Sequence, residues 1–356
     1  MRRTRRLLLL GAGVLAALLL VEGLVRLRQW KRYGTTATTY YRYAKDPASG
    51  LRIPMPGFTA GPIRINSRGF RGAEIEEPKP AGRIRLAFLG ASTTFCAEVT
   101  GLETTWPHLV VEGLRAAEPA LEFDYVNAGV GGFTTTESLA NLEHRVAPFQ
   151  PDVVLYYEAT NDLTADTRNL AVEAGLYRRG EGDHARIGNW WLTYYLVEKN
   201  LRQLFAPRGE RDKLRFEPGA LSRGFEERLT RLVQSAQARA PVVVLVTFAV
   251  QVRREQTPEA QRAAAASALY YMPFLDPTSL LDGYEEYNRV IRAVALATGA
   301  LLIEGEGGIP GDPEHFADSV HFRDPGSRLQ ADRILSGLLG SARFQELLAR
   351  RRAAGD

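Results

Sequence analysis

From residue 83 onward, two apolar periodicities alternate along the chain. Near-continuous apolar runs at residues 84–89, 121–127, 152–157, 242–248 and 301–303 read as strands buried on both faces, the pattern of a parallel sheet. Between and after them, Trp106, Leu109, Val110 and Leu114 recur at helical spacing, as do Phe225, Leu229, Leu232, Val233 and Ala236, then Tyr284, Tyr287, Ile291 and Val294, and finally Leu329, Ile334, Leu335 and Leu338. Thr134 and Glu137 have the spacing of a capping box, which starts a further helix. Five strands alternating with helices predict an α/β domain over residues 83–340, built on a doubly wound five-stranded parallel sheet.

The remaining stretches break this rhythm. Residues 7–25 are apolar except for Glu22 and reach the length of a membrane span if Glu22 sits at the interface. No convincing small-x-small cleavage site follows, so residues 1–32 are expected to be an uncleaved signal anchor with the domain outside the cytoplasm, periplasmic or extracellular. Residues 33–82 are dense in Pro and Gly and read as a linker or an irregular segment lying on the domain. The stretch Ile65 to Arg71 is expected to hold a turn that packs Phe70, without chemistry. Residues 164–222 form an insertion whose aromatic run around Trp190, Trp191, Tyr194 and Tyr195 fits either packing on the core or a wall of the site. Residues 250–283 make a second long connection over the same sheet edge, and residues 341–356 read as a basic, solvated tail.

Charge narrows the partners. Residues 1–32 hold eight Lys or Arg against one acid, and the remainder 37 against 40, so the net +4 divides into +7 and −3. The folded part is therefore not a nucleic-acid binder on electrostatic grounds. Cys96 is the single cysteine, which excludes an intramolecular disulfide, and it reads as a small buried hydrophobe.

The candidate chemistry sits at strand ends. The first strand runs into Gly90-Ala91-Ser92-Thr93-Thr94, placing one hydroxyl where open α/β sheets bind ligands. Acyl transfer to a serine needs a base, a group that orients it, and oxyanion donors. His321 is the candidate base and Asp318, three residues earlier, the candidate orienting group if the intervening turn is compact. The G-x-S-x-G elbow of the α/β-hydrolases is missing, because Thr94 stands at its last glycine. Gly129-x-Gly131-Gly132 lacks the sixth-position glycine of a dinucleotide turn, and no HExxH, paired CxxC or P-loop is present, so neither a metal nor a cofactor is expected. His108, His144, His184 and His315 are assigned no site role, His108 and His144 as surface residues.

Four separated blocks together resemble the SGNH (GDSL-like) hydrolases: Gly90-Ala91-Ser92-Thr93-Thr94, Asn127-x-x-x-x-Gly132, Asn161-Asp162 and Asp318-x-x-His321. The resemblance covers roughly residues 83 to 340 and implies the family's flavodoxin-like three-layer sandwich. It makes Ser92 the nucleophile, His321 the base and then acid, and Asp318 its orienting partner. Oxyanion donors would be the amides of Ser92 and Gly132 and the side chain of Asn161, with Asp162 as the turn residue that fixes Asn161. Two positions depart from the family pattern: Ala91 replaces an Asp without a proton-transfer role, and Ala159 replaces a Gly, adding a methyl beside Asn161. The implied activity is hydrolysis of a carboxylic ester through an acyl-enzyme, with an acylated small molecule or polysaccharide as partner; O-acetyl groups on cell-envelope carbohydrate are one substrate class that fits, and lipids stay open as another. An O-acyltransferase and a non-catalytic carbohydrate-binding or assembly protein are the alternatives.

Overall fold

The computed structural model describes residues 2–33, 42–178 and 213–353, together with Thr193, Tyr194 and Val197. Of the aromatic run around Trp190, only Tyr194 falls within the described residues. Helix α1 (Arg2–Tyr33) leads the chain, and within it Leu9–Lys31, with mean hydropathy 2.0, is long and apolar enough to cross a membrane by length and composition. From Leu9 to Leu24 its Leu and Val side chains are exposed, while Glu22 pairs with Arg26 at 2.6 Å and accepts the Thr193 amide at 2.7 Å.

Two small hairpins follow, β1 (Tyr43–Lys45) with β2 (Arg52–Pro54) and β3 (Thr59–Ala60) with β4 (Ile63–Arg64). The main sheet contains β5 (Ile84–Gly90), β6 (Phe123–Asn127), β7 (Val153–Tyr157), β8 (Val242–Val246) and β9 (Leu301–Ile303), all parallel, in the order β6-β5-β7-β8-β9. Every residue of β5, β7 and β8 is buried, which explains their unbroken apolar runs.

The order reverses at β5. The crossover through α3 (Trp106–Ala117) leads outward to β6, whereas those through α4 (Thr135–Asn141), α5 (Thr160–Glu173) with α6 (Pro218–Gln237), and α7 (Pro258–Ala264), α8 (Ala266–Tyr271) and α9 (Pro277–Thr298) lead the other way. Right-handed crossovers then place α3 and the returning α10 (Asp324–Leu339), which pack together, on one face, and α4, α6 and α9, which also pack together, on the other. This three-layer arrangement opens a crevice at the carboxyl ends of β5 and β7.

One segment differs from the sequence reading. The basic carboxyl-terminal stretch is a docked helix, α11 (Ala342–Ala353), because Phe344, Leu347 and Leu348 share one face and are buried. Its Arg351 pairs with Asp152 at 2.5 Å and its Arg352 with Glu118 at 2.5 Å. Residues 42–82 lie on the domain, the second of the two alternatives read from the sequence: Phe70 is buried edge-on against Phe149, and Arg71 is almost wholly buried.

At the amino edge of the sheet, charges are buried and paired. Arg85, 0% exposed, gives two hydrogen bonds of 2.7 Å to the Asp124 carboxylate and others to the carbonyls of Phe149 and Glu76. Asp152 accepts the Arg85 amide at 2.8 Å and pairs with Lys79 at 2.8 Å as well as with Arg351. Such groups are tolerated inside because their polar atoms are answered in the fold.

Candidate active site

Ser92 begins a single helical turn, α2 (Ser92–Phe95), directly after β5. The turn fits because Gly90 approaches the neighbouring strand: a Cβ there would lie 2.3 Å from the Tyr157 carbonyl, to which Thr94 Oγ1 donates at 3.0 Å. As the first residue of a helix, Ser92 has an N–H with no intrahelical acceptor. Buried Trp106 donates Nε1–H to Thr93 O at 3.0 Å, and Arg71 donates to the carbonyls of Phe95 and Cys96, so both ends of the turn are held. Arg71, given no chemistry in the sequence reading, thus caps the element that carries Ser92.

His321 and Asp318 arrive on the long segment after β9. Asp318 Oδ1 accepts the amides of Val320 and His321 at 3.0 Å each, the compact turn their spacing requires. Ser319 anchors this loop on Ala264 O at 2.6 Å, and Asp324 ties it to the loop beyond Ser92 by accepting the Thr100 amide at 2.9 Å. His321 Nε2 then lies 2.8 Å from Ser92 Oγ and Nδ1 2.9 Å from Asp318 Oδ2. A serine hydroxyl, an imidazole and a carboxylate form one hydrogen-bonded line.

On the other side of Ser92, Asn127 Nδ2 donates to Thr94 O at 3.0 Å while its Oδ1 accepts the Gly129 amide at 3.0 Å, joining the β6 loop to α2. Gly132 sits in this loop at φ +85°, a conformation that glycine adopts without penalty. Asn161 Nδ2 donates one hydrogen to Phe133 O at 2.9 Å and has a second to offer. Asp162, read from the sequence as a turn residue that fixes Asn161, lies instead in the first turn of α5 with its carboxylate directed to other partners. Fully buried, it accepts both the amide and the hydroxyl of Thr135, at 2.7 and 2.9 Å, and pairs with Arg228 at 3.0 Å, so it holds the start of α4 behind the Gly132 loop. Burial outweighs Arg228 and pushes its carboxyl up to about 6.

Two carboxylates that the sequence reading did not single out also face this site. Glu98, just beyond α2, and Glu158, just before Asn161, each have Oε2 sealed from solvent with no hydrogen-bond partner among the described residues. Glu158 Oε1 accepts the Asn161 amide at 2.6 Å, and burial pushes the Glu158 carboxyl up to about 8. Burial raises Glu98 as well, against the pull of His321. For His321, burial disfavours the charge, but Glu98 and Asp318 outweigh it and raise the imidazole above its ordinary value. Asp318 is raised by burial and lowered more strongly by His321, ending well below the usual carboxylate range. The signal for both glutamates was a lone acid flanking a buried strand or turn.

The Asp-x-x-His pattern occurs twice. Asp312 and His315 have the same spacing and the same Nδ1 contact, 2.8 Å, but the hydrogen bond to Ser92 is made by His321. His108 is half-buried rather than solvated, with Nδ1 3.3 Å from the Tyr125 hydroxyl, and burial lowers its pKa. His144 is exposed. Among the described residues, no group of His, Cys, Asp and Glu could hold a metal ion.

The model of the GDSL-like Lipase/Acylhydrolase family matches residues 88–329. The chain belongs to this family. It is therefore an ester-bond hydrolase by descent, and the matched span contains every candidate residue above. No curated protein matches. Among solved structures, the acetylxylan esterase Axe2 from Geobacillus stearothermophilus aligns at 18% identity and TM-score 0.44, over 73% of this chain and 95% of that one. LAE5, an alpha/beta hydrolase enzyme from the metagenome of Lake Arreo, Spain, aligns at 18% identity and TM-score 0.43, over 72% and 95%. Neither likeness bears on the substrate of this GDSL-like chain.

Proposed function

We propose that the protein is a serine esterase in which Ser92 attacks the carbonyl carbon of a carboxylic ester. His321 Nε2 takes the hydroxyl proton while Asp318 holds Nδ1–H and stabilises the imidazolium. The amides of Ser92 and Gly132 and the free hydrogen of Asn161 Nδ2 receive the oxyanion. His321 then returns the proton to the leaving alcohol, and a water, deprotonated by the same imidazole, releases the acid from the acyl-Ser92. The observation that carries this reading is the 2.8 Å contact between Ser92 Oγ and His321 Nε2, continued at 2.9 Å to Asp318.

The favoured substrates are O-acetyl esters of cell-envelope carbohydrate, met by a domain that α1 anchors at the outer face of the membrane. Buried Ala159, beside Asn161, adds bulk next to the oxyanion donors and favours a short acyl group. Hydrolysis of p-nitrophenyl acetate and butyrate by the detergent-solubilised full chain tests the reading. Wild type is expected to turn over acetate faster, and Ser92→Ala and His321→Ala each to lose at least about 10³-fold in kcat/KM with unchanged melting temperature. Wild-type turnover no higher than that of the variants would overturn it. Acceptor sugars in the same assay separate the routes: an acylated sugar in place of free acid indicates transfer. Proteolysis of intact spheroplasts that leaves the domain uncut would overturn the proposed orientation.

A further inference from the structure

The turn that carries Gly132 belongs to a pair of turn types that differ in which way the central amide faces. Phe133 N–H donates to Val130 O at 3.1 Å, closing a β-turn with Gly131 and Gly132 at its centre. Of these two, Gly132 alone has a positive φ, +85°, the pattern of a type II turn. Types I and II differ by a flip of the central peptide, and two adjacent glycines oppose that flip very little. The ends of the turn are fixed elsewhere, since Val130 N–H donates to Gly90 O at 3.2 Å and Asn161 holds Phe133 O. Only the Gly131–Gly132 peptide is left for another group to set.

That group comes from 79 residues upstream, where Arg52 Nη2 donates to Gly131 O at 2.7 Å. A Cβ on Gly132 would lie 3.2 Å from the same nitrogen, so the guanidinium rests against the glycine itself. In a trans peptide the C=O and N–H point opposite ways, and holding one therefore aims the other. We propose that Arg52 is a positioning residue for the oxyanion hole: it clamps the Gly131 carbonyl and so keeps the Gly132 N–H turned toward the acyl oxygen.

The clamp is built to stay in place. Arg52 pairs with Lys45 across the β1–β2 hairpin, and the next two residues, Ile53 and Pro54, are buried as anchors. The ring of Tyr43, one diagonal step along the hairpin, lies 3.9 Å beneath the guanidinium carbon. No carboxylate pairs with Arg52 among the described residues, so its charge acts on the peptide it holds. A charged donor on a carbonyl also polarises the peptide and strengthens its N–H as a donor.

This inference rests on the esterase reading, and its test separates the two. Full-length Arg52→Met, Arg52→Ala and Arg52→Lys are assayed on p-nitrophenyl acetate beside wild type, with melting temperatures. Arg52→Met is expected to lose about 10–100-fold in kcat, less than deletion of an oxyanion donor itself, with KM within about twofold. Arg52→Lys retains most of the rate, and millimolar guanidinium restores part of it to Arg52→Ala. A kcat for Arg52→Met within about threefold of wild type, or a loss confined to KM, overturns the proposal. So does an equal loss in Arg52→Lys without guanidinium rescue. If wild type turns over no ester, the esterase reading falls instead, and a crystal structure of Arg52→Met decides the clamp: a flipped Gly131–Gly132 peptide supports it and an unmoved one overturns it.

Discussion

The two edges of the central sheet bury charge in opposite ways. At the amino edge, Arg85, Asp124, Asp152, Lys79 and Arg351 answer one another, and Arg85 alone makes four side-chain hydrogen bonds. At the carboxyl edge, Glu98 and Glu158 each leave a sealed oxygen without a partner among the described residues, and both bear electrostatically on His321. The paired edge keeps the fold intact. The unpaired edge sets two carboxyls, whose pKa values burial raises, around the one imidazole that must gain and lose a proton, at a cost in stability that the rest of the fold absorbs.

The comparison breaks most visibly at Arg85. Arg85→Met leaves half-buried Asp124 with only Arg83 and takes the buried donor from the carbonyls of Phe149 and Glu76, and is expected to cost about 3 kcal/mol, read by denaturant unfolding, while kcat of the folded fraction stays at the wild-type level. A loss below about 1 kcal/mol would mean that the amino edge contributes little.

Glu158 sharpens the contrast through pH. Its folded pKa of about 8 lies above the ordinary 4.5, so the native state binds the proton more tightly than the unfolded chain. The sign follows: stability from this group is greatest below the ordinary value, falls as pH rises toward about 8, and is level beyond. Glu158→Gln keeps the acceptor for the Asn161 amide and removes the titration. Its melting temperature relative to wild type should therefore climb by about 3–8 °C between mildly acid and mildly alkaline buffer, and a constant difference would refute the assignment.

The smallest effect is expected at Glu98. His321 must be neutral to accept the Ser92 proton, so kcat/KM rises with pH through the raised pKa of the imidazole. Glu98, Asp318 and Glu158 are the carboxylates that favour its charged form. Glu98→Gln removes one of them and should move the acid limb to lower pH while leaving the plateau within about threefold of wild type. An unmoved limb would place Glu98 outside the field that His321 feels.

What the sequence reveals of this arrangement depends on how local each feature is. Strands buried on both faces declare themselves as apolar runs, and Ser92, Asn161 and Asp318-x-x-His321 each follow one or lie on a connection between elements. Arg52 and Arg71 act on Gly131 and on the α2 carbonyls across long stretches of chain, and nothing in their own neighbourhood marks them. Helix α11 was hidden for a different reason: its arginines outnumber Phe344, Leu347 and Leu348, though those three share a face. The Asp312 and His315 pair shows the converse, that a local pattern can close the same hydrogen bond without meeting Ser92.

Cys96 has a practical consequence. The thiol is buried against the carbonyls of Thr93 and Thr94, and burial pushes its pKa up to about 12, so it presents no thiolate to an electrophile at neutral pH. The chain is in effect thiol-silent. A cysteine introduced on the exposed face of α3 or α11 would be the sole position a maleimide reaches, and fluorescent or spin labels could be placed singly without altering the native residue.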